Sequence, residues 1–244
     1  MERLGKKAAA GVRPSSPRRD EAYRHWGLTT PLAAPPSRPV RPLAAHTGDA
    51  AGPRVVDRVA TTDRVVFLTY DDGAERDPRF ADMVRELRLP VSLFLAGSVT
   101  GPAYGRAARL RSAGADVENR TLDHPALRGL SYAGQRAEIC GQQDRLGSRF
   151  GRRPRLLRPP QGRYDRTTLR AAADCGISAI VLWRATVTSG GLAYARGDKH
   201  LHAGDIVLVG PDETPGRTLG ERTTHLLRRA QERGLTVAHL EDYL

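Results

Sequence analysis

From residue 63 onward, short apolar runs alternate with longer stretches in which apolar residues recur at helical spacing. The runs predict strands over 64–70, 91–96, 115–119, 155–158, 177–183, 205–209 and 235–240. The longer stretches predict helices over 78–88, 102–112, 132–150, 166–175 and 219–233. Most of the runs are continuously apolar rather than alternating, the pattern of parallel strands covered on both faces. Gly114, Gly176 and Gly234 each stand between a helical stretch and the next strand, where a left-handed residue ends a helix. Pro78 and Pro102 suit first helical turns, where the missing N–H costs nothing. Seven strands in this order imply an α/β fold, a distorted (β/α)7-type barrel of parallel strands surrounded by helices. In such barrels the chemistry gathers at the C-terminal ends of the strands.

The first 60 residues break this pattern. They hold 11 Arg or Lys against 5 Asp or Glu, so half of the chain's net charge of +12 sits there, with 8 of its 17 prolines. A stretch of that composition buries too little apolar surface to offset chain entropy. It reads as a basic, Pro-rich disordered tail or linker over 1–60, ahead of one domain over 61–244. Arg far outnumbers Lys, which reads as genome composition; the alternative is a basic arm for nucleic acid, anionic lipid or wall polymer. No zinc-finger spacing, aromatic RNA-binding strand or helix-turn-helix signature supports nucleic acid as a partner. No run approaches the ~20 apolar residues of a membrane span. Residues 1–10 have the positive start of a signal peptide without the apolar stretch that should follow, so localisation stays open. Cys140 and Cys175 fall in predicted helices with no CxxC pairing; buried free thiols are expected, with a disulfide as the alternative. A monomer is expected.

Candidate chemistry follows the apolar runs. The first ends in Tyr70-Asp71-Asp72-Gly73. Adjacent carboxylates there are costly unless a cation receives them, which suggests a metal ligand beside a general base; a solvated turn is the alternative. The third ends in Asn119-Arg120-Thr121-Leu122-Asp123-His124, where His124 is either a metal ligand or a polar loop residue. The fourth ends in Arg158-Pro159-Pro160-Gln161-Gly162, a stiff loop that could wall a groove with Arg158 aimed inward, or simply lead into the helix that Asp165 caps. Trp183 ends the fifth, as a floor for a sugar ring or as barrel closure.

These segments, in this order, resemble the polysaccharide deacetylases, the NodB-homology group of carbohydrate esterase family 4. Thr69-Tyr70-Asp71-Asp72-Gly73 is similar to the family's T-[FY]-D-D-G motif, residues 120–124 to H-[ST]-x-x-H, and residues 158–162 to R-P-P-Y-G. The resemblance implies removal of N- or O-linked acetyl groups from an acetylated polysaccharide or cell-wall glycan, aided by a divalent metal, zinc expected. It implies Asp71 as general base, Arg158 and Gln161 as further catalytic residues, and Asp72 and His124 as metal ligands; Pro160 in the stiff loop and Trp183 are the expected substrate-binding residues. The departures are equally specific. Arg120 stands where the family has a ligating His, no acid follows Trp183 to partner Arg158, and Gly210 stands where the family has a general acid. His200 and His202 precede the 205–209 strand and belong at the opposite rim. A catalytically inactive homologue that binds glycan is therefore the alternative to an active hydrolase.

Overall fold

The seven residues of Val65–Asp71 are all buried, and their parity explains the fold. Val66, Leu68 and Tyr70 pack into the core beneath the helices, while Val65 and Phe67 face a second core inside the curl of the sheet. A strand buried on both faces cannot alternate apolar with polar, so the run is continuous. The structure, a computed structural model, describes residues 21–39, 52–98, 101–210 and 216–244.

The described strands are β1 (Arg54–Val56), β2 (Val65–Asp71), β3 (Ser92–Leu95), β4 (Asp116–Asn119), β5 (Leu156–Leu157), β6 (Ala179–Val181), β7 (Ala185–Thr188), β8 (Gly191–Tyr194), β9 (Ile206–Val209) and β10 (Thr236–Val237). Their order is β1-β6-β5-β4-β3-β2-β9-β7-β8, with β10 also paired to β2. Apart from the β7–β8 hairpin every pairing is parallel. The helices are α1 (Ala22–His25), α2 (Pro78–Leu87), α3 (Gly101–Ala113), α4 (Tyr132–Phe150), α5 (Arg166–Asp174) and α6 (Leu219–Glu232). The result is a mostly parallel sheet curled into a half-barrel and surrounded by helices, as the alternation of patterns implies. No described helix is long and apolar enough to cross a membrane.

Local chemistry sets the helix starts. Asp77 accepts the Arg79 N–H ahead of Pro78, and capping boxes pair Asp165 with Thr168 and Thr218 with Glu221. The described structure differs from the sequence expectations in three places. Residues 54–56 form β1, and residues 21–39 lie against α2 and α6. There the Trp26 indole donates to Glu86 at 2.8 Å, and Thr224 and Gln231 donate to the carbonyls of Trp26 and Thr30. Those two parts of the expected tail are thus built into the fold, because Ala22, Leu28 and Val56 find apolar cover that the Pro-rich composition masks. Residues 1–20 and 40–51 lie outside the described residues. The β7–β8 hairpin, over 185–194, is the second addition. Third, Cys140 and Cys175 are not free thiols but bonded to each other, their Cα atoms 5.0 Å apart. The packing of α4 against α5 brings them together, and sequence spacing carries no sign of that.

Candidate active site

The inward parity of β2 continues from Val65 and Phe67 to Thr69 and Asp71, so Asp71 enters the barrel mouth at the strand's C-terminal end. Arg158, just past β5, meets the same side of β2. It is fully buried and donates from Nη2 to the Thr69 hydroxyl at 2.8 Å and from Nη1 to Asp71 Oδ1 at 3.0 Å. Its Nε reaches the Val181 carbonyl at 3.3 Å, and its guanidinium lies 4.2 Å from the Phe94 ring centroid. Burial pulls its pKa below the usual arginine range, with Asp71 opposing. The family's acidic partner for this arginine is missing from the sequence, and Asp71, Thr69 and backbone carbonyls hold it instead.

Asp72 lies one residue past the strand, with Oδ1 accepting the Ala96 N–H at 2.6 Å from the end of β3. Burial raises its pKa to about 6 against the opposing pull of that N–H and of Arg120. Arg120 leaves the end of β4 and places Nη1 2.5 Å from Asp71 Oδ2 and Nε 3.1 Å from Asp72 Oδ2. These are charge contacts rather than aligned hydrogen bonds, since neither nitrogen meets hydrogen-bond geometry. Both oxygens of Asp71 thus face a guanidinium.

His124 sits in the loop after β4, partly buried, with its pKa lowered by burial and by Arg120. That loop is fixed from below. Asn119 accepts the Thr121 N–H and donates to Ile139 and Gln143, while Glu138 accepts the N–H groups of Leu122 and Asp123. Asn119 is thereby committed elsewhere, and Asp123 points to solvent. Three of the four described non-glycine residues with left-handed backbones, Thr121, His124 and Gln161, stand in the loops after β4 and β5. Strain of that kind gathers at sites that need an unusual loop path. Gln161 is exposed, beside the buried Pro160. Trp183 is partly buried with its ring 5.4 Å from Arg158, and a Cβ on Gly162 would stand 3.3 Å from its Cη2. Gly210 follows β9 and brings no side chain to the mouth.

The polysaccharide deacetylase family model matches residues 58–180, half of the chain. The chain belongs to the polysaccharide deacetylase family. An uncharacterized protein of Streptomyces coelicolor is 59% identical over 222 residues, covering 87% of this chain and 88% of that one. A chitooligosaccharide deacetylase of Bradyrhizobium is 28% identical over 120 residues, covering 48% of this chain and 55% of its own. This polysaccharide deacetylase relative thus spans about half the length of that curated enzyme. The solved structure of a carbohydrate esterase family 4 pseudoenzyme from Bacillus anthracis superposes with a TM-score of 0.67 at 19% identity, over 78% of this chain and 69% of that one. That likeness carries the fold alone. The matched stretch contains Asp71, Asp72, Arg120, His124, Arg158 and Gln161, and ends before Trp183 and Gly210.

Metal dependence is general in this family, and the residues present do not fit a metal at the family position. A guanidinium cannot shed its proton to become a ligand. Here it occupies the space between the two carboxylates and already supplies their positive charge. The donor atoms of Asp71, Asp72 and His124 are not gathered within 4.8 Å of one another, as those of two other described sets are. In the sequence, Arg120 marks a missing ligand. What the sequence does not show is that its charge, turned onto Asp71 and Asp72, becomes their counter-ion.

Proposed function

We propose that this chain is a non-hydrolytic member of the polysaccharide deacetylase family, a glycan-binding protein whose former catalytic mouth is closed by an internal cation. One observation carries the reading: the Arg120 guanidinium spans Asp71 and Asp72 at 2.5 and 3.1 Å. A general base must have a free lone pair facing water. Two guanidinium groups against Asp71 favour its ionised form and so weaken it as a proton acceptor. The leaving group would then find no donor at Gly210. The fold likeness to a protein described as a pseudoenzyme, of which a mutant is described as having restored enzymatic activity, accords with this. The bound glycan would lie along Pro160 and Trp183, where a rigid loop and an indole edge the mouth.

The test is Arg120→His, assayed for zinc content and for acetate release from acetylated chitooligosaccharide and peptidoglycan. The variant should gain one equivalent of zinc over the native chain and lose it again when Asp72→Asn is added. The native chain should release no acetate yet bind the oligosaccharide, several-fold more weakly after Trp183→Ala. Acetate release by the native chain that Asp71→Asn abolishes would overturn the proposal.

A further inference from the structure

A second set of ligating side chains lies at the opposite end of the barrel. Asp116 is the first residue of β4, whose far end delivers Arg120 to the mouth. His239 and Glu241 come from the turn that follows β10, where Leu240–Asp242 form a short 3-10 helix. His239 Nδ1 lies 3.0 Å from Asp116 Oδ2. One donor atom each from Asp116, His239 and Glu241 falls within 4.8 Å of the other two.

Glu241 distinguishes this set from a surface cluster. Both of its carboxylate oxygens are shut off from solvent, and neither makes a well-aligned hydrogen bond, although the Ser92 hydroxyl and the Asp116 carboxylate lie beside them. The surroundings supply little positive charge. Arg152 approaches Asp116 at 3.7 Å from a half-exposed position, and the nearby buried Glu118 adds a third carboxylate. Glu118 is committed to the Arg155 and Leu156 N–H groups. A carboxylate buried beside two others, with Ser92 as its one neighbouring side-chain donor, is costly unless a cation meets it.

We infer that Asp116, His239 and Glu241 form a structural site for a divalent transition-metal cation, with Zn2+ the best match. One imidazole nitrogen with carboxylate oxygens is a zinc donor set. Two tetrahedral ligands, each ~2.0–2.1 Å from zinc, stand about 3.3 Å apart, close to the separation of His239 Nδ1 and Asp116 Oδ2. The ion would tie the C-terminal turn to β4, and the family-position residues at the mouth take no part.

The test uses the full chain carrying Asp72→Asn, which removes the mouth as a metal site, stripped with a chelator and titrated with zinc chloride. Calorimetry should give one equivalent bound and a rise in Tm. Adding Glu241→Gln, which keeps the shape, should weaken binding at least 100-fold, consistent with loss of a direct ligand. His239→Gln gives a second variant in case the first fails to fold, as judged by circular dichroism. Binding below a tenth of an equivalent would overturn the inference. So would equal binding in both added variants, which would place the ion elsewhere, such as on Asp198, His200 and His202. A Tm that rises with Glu241→Gln and ignores zinc would also overturn it, by showing that the buried carboxyl is met by a proton.

Discussion

Replacing Arg120 with Met removes the charge while keeping most of the side chain's length. Its side chain is only 12% exposed, with Asp71 at 7% and Asp72 at 22%, so solvent screens these contacts weakly. At roughly 3 Å and an effective dielectric of ~20, each contact is worth ~5 kcal/mol gross. Desolvation of the three groups offsets much of that, and removing one partner of a buried pair has a net cost of ~3–5 kcal/mol. For a chain of this size that corresponds to a fall in Tm of ~6–20 °C. The loss should depend on pH. Burial already holds the Asp72 carboxyl up at about 6. That is above its unfolded value, so the stability tied to its protonated form is complete below the unfolded pKa and lost as pH rises through the folded one. Without Arg120 the folded pKa climbs further, and Asp72 takes up its proton near neutrality. The deficit of Arg120→Met should therefore be largest above pH 7 and shrink towards pH 5, as read by urea unfolding of both chains. A loss under ~1 kcal/mol, flat from pH 5 to 8, would show that Arg120 is a solvated surface charge and would remove the basis of the functional proposal.

Two further outcomes are expected. The Cys140–Cys175 bond closes a separation of 35 residues, so Cys140→Ser combined with Cys175→Ser should lower stability by ~2–4 kcal/mol, and dithiothreitol should bring the native Tm down to that of the double variant. Asp165 caps α5 through Thr168 at 2.8 Å and also accepts the Gly129 N–H at 3.2 Å; Asp165→Ala should cost ~1–2 kcal/mol by chemical denaturation, whereas Thr218→Ala, a cap with local contacts only, should cost no more than ~1 kcal/mol.

The sequence by itself determined where strands and helices stand from residue 63 onward, except for the 185–194 hairpin. Burial on both faces forces continuous apolar runs, and caps and glycines mark the ends; the helix read over 132–150 occupies Tyr132–Phe150. The order of the motifs also placed Asp71, Asp72, Arg120, His124 and Arg158 at the ends of the first, third and fourth predicted strands. The short β1 stayed hidden because three residues in a Pro- and Arg-rich stretch carry no period, and their strand character comes from pairing with β6. The residues after Trp183 yield only the missing acid in the sequence, although the Gly190-Gly191 pair was the available sign of the hairpin. Only the tertiary structure decided what Arg120 does. A formal charge in a sequence has no direction, and whether it repels a metal or replaces one depends on which oxygens its guanidinium reaches. The same holds for the disulfide and for the Asp116, His239 and Glu241 set, in which Asp116 stands 123 residues from His239 and meets it only because the sheet curls and the C-terminal turn closes beneath β4.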